Sequence, residues 1–187
     1  MSKGKLFVIS GASGVGKSTV LSKVMASRED LRFSVSATTR SPRPGETDGV
    51  NYYFVTKERF EEMIRADEFL EYDAHMDNYY GTPEKQVEDK LCTGSVILDI
   101  EPVGAFNVRG KRDDAVLIFI APPSMEELER RLRGRGDTSE AQMALRLERA
   151  RWEMAQSEKY DYIVTNDRVD TCAEEILHII ATVCGEE

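Results

Sequence analysis

The sequence predicts an α/β fold built around a parallel sheet, on three observations. Four short apolar runs, Leu6–Ser10, Val96–Ile100, Ala115–Ala121 and Asp161–Thr165, are continuous rather than alternating, as strands covered on both faces are. Stretches with a helical period lie between and after them, which is what right-handed crossovers in such a sheet require. Finally, 187 residues with 41% hydrophobic and 32% charged content can close one core without a disordered remainder.

Taken in order, Leu6–Ser10 supplies the first strand, and Lys17–Met25 a helix with Val20, Leu21 and Val24 on one side. From about Val35 to Leu91 the rhythm breaks. Turn signals at Ser41-Pro42-Arg43-Pro44-Gly45 and Asp48-Gly49, with tyrosine-rich Asn51–Val55 and Asp77–Gly81, predict an inserted, partly β lobe. Val96–Ile100 and Ala115–Ala121 return to the sheet. Ser124–Leu132 places Leu128 and Leu132 one turn apart, at the start of a stretch to Arg151 that holds seven arginines and no lysine. Asp161–Thr165 is the last strand, and Ile176, Leu177 and Ile180 form the inner face of a closing helix.

Charge narrows the function. With 25 Lys+Arg against 34 Asp+Glu, the net charge of −9 argues against a protein that coats nucleic acid. A few local arginines can still set the field of a cleft for a small anion. Cys92, Cys172 and Cys184 are an odd count without metal-site spacing and read as reduced thiols. The first apolar run is too short for a signal peptide, and nothing approaches the roughly 20 apolar residues of a membrane span. A cytoplasmic protein with no membrane or nucleic-acid partner is expected, and a homo-oligomer is compatible with the sequence.

Directly after the first strand comes Gly11-Ala12-Ser13-Gly14-Val15-Gly16-Lys17-Ser18-Thr19, a match to G-x-x-x-x-G-K-[ST] in a strand–loop–helix setting. Its glycines let backbone N–H groups turn inward as an anion nest at a helix N-terminus. Lys17 is placed to reach the β- and γ-phosphates, and the Ser18 hydroxyl to ligate Mg²⁺. The loop names a nucleoside triphosphate and leaves the acceptor open.

The acceptor is read from the inserted lobe. Ser36-Ala37-Thr38-Thr39-Arg40-Ser41-Pro42-Arg43-Pro44-Gly45-Glu46, Asn51-Tyr52-Tyr53-Phe54, Phe69-Leu70-Glu71-Tyr72 and Asn78-Tyr79-Tyr80-Gly81-Thr82 together resemble the monophosphate site of guanylate kinases. Ile97-Leu98-Asp99-Ile100-Glu101, Arg130–Gly136 and Val164-Thr165-Asn166-Asp167 follow in the same family's order, so the resemblance runs from Leu6 to about Asp167. It implies a single domain over 1–187 with a P-loop NTPase-type core (1–34, 92–123 and 153–187), a GMP-binding lobe (35–91) and a helical lid (124–152). It further implies an ATP-dependent kinase acting on GMP, and on dGMP, with Mg²⁺ as cofactor.

The resemblance also implies roles. Glu46 would accept from guanine N1–H and the N2 amino group, with Ser36 and Thr82 supporting the base and Glu71 in the same guanosine site. A carboxylate suits those two adjacent donors, which adenine lacks. As an isolated residue Glu46 is equally a solvated turn glutamate. Arg40 and Arg43, with the Tyr52 and Tyr80 hydroxyls, would cradle the GMP phosphate; Tyr53 and Tyr79 read as ordinary half-buried strand residues. Asp99 would orient GMP or the waters of Mg²⁺. Arg135 and Arg146 match the lid arginines that act with Lys17 on the transferring group, and Asn166 the position that holds adenine. No general base is needed, because a phosphate acceptor with a second pKa near about 6 is largely ionised at neutral pH. His75 and His178 carry no motif.

Three departures from the family pattern stand out. Glu101-Pro102-Val103-Gly104 replaces the usual second aspartate and glutamine, Asp77 replaces a glycine, and Arg168 an acid. The first alters a segment expected to contribute to the GMP or Mg²⁺ shell and leaves that contribution open; the other two do not touch the phosphate-transfer groups, so activity is expected to survive. Two rivals remain: a kinase of the same scaffold acting on another small phosphate, and a non-catalytic guanylate-kinase-like binding module.

Overall fold

A computed structural model describes residues 4–75, 77–134 and 140–186. Along the chain run β1 (Leu6–Gly11), α1 (Lys17–Ser27), β2 (Leu31–Phe33), β3 (Ala37–Thr38), β4 (Tyr53–Phe54), α2 (Lys57–Arg65), β5 (Phe69–His75) and β6 (Asn78–Pro83). There follow α3 (Glu84–Leu91), β7 (Ser95–Asp99), α4 (Pro102–Lys111), β8 (Val116–Ala121), α5 (Met125–Arg133), α6 (Glu140–Ala155), β9 (Tyr162–Thr165) and α7 (Val169–Cys184). One sheet has five strands in the order β2-β7-β1-β8-β9, the other four in the order β4-β3-β6-β5. In the first, β2 runs parallel to β7 and β8 parallel to β9. The four apolar runs are its strands β1, β7, β8 and β9, and β1 is buried along its whole length. Among the described residues no helix is long and apolar enough to cross a membrane.

The chain divides into two compact units, Met1–Phe7 with Asp30–Ala115, and Val8–Glu29 with Val116–Glu187. In the first, β5 and β6 form an antiparallel hairpin with a bulge between Phe69 and Glu71, and β3 joins β6 antiparallel. Ala37, Phe60, Met63 and Phe69 make the core under this sheet. Phe60 lies between two rings, 4.4 Å from Phe69 and 5.2 Å from Tyr79. Gly81 is what lets them close up, since a Cβ there would stand 2.9 Å from Phe69 and 3.0 Å from Phe60. The α2 helix starts where Thr56 Oγ1 accepts from Arg59 N–H at 3.2 Å, and it buries Phe60 and Met63 one turn apart.

In the second unit α1 buries Val20, Leu21 and Val24 and packs along α7. The α7 face is Cys172, Ala173, Ile176, Ile179 and Ile180. Leu177, expected on that inner face, is only half-buried, because Ile179 takes the place. Ion pairs cross between the two helices' flanks, Lys23 with Asp170 and Arg28 with Glu186 through a two-pronged contact at 2.7 and 2.8 Å. At α5, Ser124 Oγ accepts from Glu127 N–H, and Leu128 and Leu132 are buried as their spacing predicts.

Candidate functional site

The phosphate loop leaves β1 and enters α1 within the second unit. Gly14 and Gly16 have φ of +87° and +93°, the left-handed region where a side chain is strained. Gly14 is confined further by packing, since a Cβ there would come 2.4 Å from a Leu132 methyl. Gly16 is the N-cap of α1, with no side-chain cap, and the first turn of α1 carries no acidic residue. By contrast α2 and α5 have a Thr or Ser cap and glutamates in the first turn. The positive end of α1 is therefore left for an external anion. Lys17 is half-buried at its start, and Ser18 and Thr19 are exposed beside it.

Asn166 closes one side of this loop. It is 2% exposed, its Nδ2 donates to the Val15 carbonyl at 2.8 Å, and its backbone N–H donates to Ala121 O. Its Oδ1 is buried without a hydrogen-bond partner, an acceptor held ready for a donor. Arg131 supports the same loop by donating to the Asn166 carbonyl at 2.9 Å and to Glu127 Oε1 at 2.7 Å. The pair of arginines beside Glu127 holds its carboxyl down at about 2. Arg146 stands exposed on α6. Arg135 lies outside the described residues.

The remaining expected residues fall in the first unit. Arg40 and Glu46 form a two-pronged ion pair at 3.0 and 2.9 Å, and Glu46 Oε2 also accepts the Arg43 N–H at 2.7 Å. These donors lower the Glu46 carboxyl, Arg40 most, and Glu46 in turn raises Arg40. The Arg40 guanidinium lies 5.4 Å from the Tyr52 ring centre and 5.8 Å from that of Phe54. Tyr52 and Tyr80 meet edge to face at 6.0 Å. Burial raises the Tyr52 hydroxyl, and the Asp99 charge at the end of β7 adds to it. Arg40, Glu46, Tyr52, Tyr80 and Asp99 are thus brought together, with Arg43 reaching them through its backbone.

Glu71 and Thr82 face each other across the hairpin. Thr82 Oγ1 donates to Glu71 Oε1 at 2.6 Å, and both residues are buried. Burial pushes the Glu71 carboxyl up to about 7 despite the Thr82 bond. Its other oxygen, Oε2, lies against Gly104 of α4, where a Cβ would approach to 2.7 Å. Pro102 is the first residue of α4, so the donor it lacks is one the helix would leave unpaired in any case. Val103 is exposed. Ser36 is half-buried, and its carbonyl accepts from Tyr53 N–H. Tyr53 is exposed rather than half-buried, while Tyr79 is half-buried on Phe60.

Sequence reasoning alone leaves two contributors without a role, Arg131 and Glu153. The Ser124-x-x-Glu127 cap with arginines three and four residues on is a usable signal for Arg131. Glu153 has none. Among the described residues no cluster of three or more His, Cys, Asp or Glu is arranged to hold a metal.

Against known proteins, the guanylate kinase family model matches residues 3–183. The chain is 49% identical to a guanylate kinase of Synechococcus over 175 residues, covering 93% of this chain and 81% of that one. It is 48% identical to one of Thermus thermophilus over 179 residues, 95% of this chain and 81% of the relative. The crystal structure of guanylate kinase from Anaplasma phagocytophilum superposes with a TM-score of 0.78 at 37% identity, over 97% of this chain and 86% of that one. An SH3-kinase fragment of tight junction protein 3 aligns with a TM-score of 0.50 at 12% identity over 97% of this chain and 58% of the fragment, a likeness of fold alone.

Proposed function

The chain belongs to the guanylate kinase family and transfers the γ-phosphoryl group of ATP to GMP, giving ADP and GDP, and from that premise we propose which side chains carry the reaction. The observation that carries the proposal is the phosphate loop, with Lys17 and Ser18 at the uncapped, acid-free start of α1. Backbone N–H groups of the loop and Lys17 hold the ATP phosphates. Asn166 offers Oδ1 to the adenine amino group while its amide N–H fixes the loop. Mg²⁺ fits the Ser18 hydroxyl, since this ion takes few protein ligands and completes its shell with phosphate oxygens and water. Held there, the ion would supply positive charge to offset that of the ATP phosphates.

Arg40, Arg43, Tyr52 and Tyr80 hold the GMP phosphate, with Asp99 orienting the group. The acceptor oxygen is already ionised, so these residues align it rather than deprotonate it, and Arg135 and Arg146 neutralise the charge that spreads over the transferring group. The base is read by a carboxylate. Glu46 is the sequence's candidate, with Ser36 and Thr82. A specific observation favours Glu71 in the same role. Both Glu46 oxygens are engaged by Arg40 and Arg43, whereas Glu71 is buried beside Thr82 with Oε2 against a glycine. Glu46 then serves by aiming Arg40. dGMP is included in the proposal, since it presents the same guanine edge and the same phosphate as GMP. A cytoplasmic location is part of the same proposal.

A coupled assay of ADP formation with GMP, AMP and ribose 5-phosphate tests the set. Only GMP is expected to turn over rapidly, and Lys17→Ala to abolish turnover with the fold intact. Glu71→Ala should relax the GMP-over-AMP ratio, by up to roughly 10⁴-fold if it alone reads the base. A ratio relaxed by Glu46→Ala and untouched by Glu71→Ala would return that role to Glu46.

A further inference from the structure

Glu153 lies near the end of α6 with 0% of its surface exposed. Carboxylates are hidden to that degree only when hydrogen-bonded or paired. Its Oε2 accepts the backbone N–H of Ser13 at 2.7 Å, and its Oε1 accepts Arg149 Nε at 2.9 Å. Ser13 belongs to the phosphate loop, where a negative charge has the wrong sign for a polyphosphate ligand. Arg149 offsets that charge. The Ser13 N–H, bound to the carboxylate, is set apart from the donors left for phosphate.

The helix gives this contact its reach. Met143, Leu147 and Ala150 form the buried face of α6. Beside it Arg146, Arg149 and Glu153 follow at steps of three and four, so they stand in one row along the axis. At 1.5 Å per residue, Arg146 is about 10 Å up the helix from Glu153. The row is anchored to the phosphate loop at one end and carries the exposed Arg146 at the other.

We propose that Glu153 is a positioning residue for phosphoryl transfer: by holding the Ser13 N–H and seating Arg149, it fixes the height and rotation of α6 and so sets where Arg146 stands relative to the loop. This rests on Arg146 neutralising the transferring group. The two residues act as one unit, so their effects on rate are not independent.

The test is a cycle of Glu153→Gln and Arg146→Ala in the full chain. Glu153→Gln keeps the shape and an acceptor for Ser13 but turns an amide N–H₂ toward Arg149. It is expected to lower kcat by about 10²-fold, the scale of an ångström's misplacement, with the KM for GMP held within about two-fold. Arg146→Ala alone should cost about 10³-fold in kcat, but only about ten-fold more when added to Glu153→Gln, the double variant being no slower than Arg146→Ala alone. Arg149, with a side chain 35% exposed, gives a second variant if Glu153→Gln does not fold. Arg149→Gln is expected to blunt the Arg146→Ala factor in the same way. A full-size Arg146→Ala factor in both backgrounds would overturn the proposal, since a merely structural Glu153 leaves that factor alone. A wild-type background indifferent to Arg146→Ala would overturn the reading of Arg146 itself and the anchor with it.

Discussion

The Glu71 carboxyl sits at about 7 in the folded chain against an ordinary value of 4.5, so between these values the folded state holds a proton that the unfolded state has lost. Stability without ligand is therefore full below about 4.5, falls as pH rises towards 7 and is level above, by on the order of 3 kcal/mol in all. Glu71→Gln is expected to remove that slope in denaturant melts at pH 5 and pH 8. If Glu71 reads guanine, GMP affinity moves the opposite way and strengthens as pH rises through 7, because only the ionised carboxylate accepts both donors. Titration calorimetry across that range measures it. The Arg40–Glu46 pair was not legible in the sequence, where both residues read as facing substrate. Two opposite charges six residues apart satisfy each other across the Ser41–Gly45 segment, a pairing that no sequence period marks. Glu153 was hidden for a different reason: one glutamate on an arginine-rich helix has the pattern of a solvated face, and only the adjacent loop amide reveals it as buried.

Elements became visible in the sequence in proportion to their unbroken apolar character. Leu6–Ser10, Val96–Ile100 and Ala115–Ala121 announced β1, β7 and β8 because strands covered on both sides need no polar positions. The fifth strand, β2, is three residues, Leu31-Arg32-Phe33, too short for any period to register. Helices α2 and α3 bury two side chains each, Phe60 with Met63 and Val87 with Leu91, among charged neighbours, so the lobe read as partly β alone. That economy of contact makes α2 sensitive. Phe60 supplies the ring between Phe69 and Tyr79, and Phe60→Ala is expected to cost about 3–5 kcal/mol in denaturant unfolding. With Tyr79 and the neighbouring Tyr80 on β6 loosened, the KM for GMP should rise more than that for ATP.

At the scale of the whole molecule, the residues proposed for ATP lie in one of the two units and those proposed for GMP in the other, which permits separate readouts of binding. Either ligand at 100 times its Kd is expected to stabilise the fold by about 2.7 kcal/mol through mass action. In thermal melts, Lys17→Ala should abolish most of the shift given by ATP and leave that given by GMP. Loss of both shifts together would contradict the assignment of residues to ligands. The proposed division of labour is drawn from motifs that are each local in the chain, which is why the sequence suggests it. What no motif held was the link from α6 to the phosphate loop through Glu153 and the Ser13 N–H, a product of chain folding between residues far apart in sequence.

Gly14 carries a last consequence. It is constrained twice, once by a backbone angle and once by the Leu132 methyl pressed against it. A descendant that had given up turnover would still be unable to vary this position without repacking α5. A glycine preserved there in some distant cousin therefore bears witness to steric necessity as much as to enzymatic life. Lys17, whose shape is not held by that second constraint, is the better marker of whether selection still maintains the chemistry.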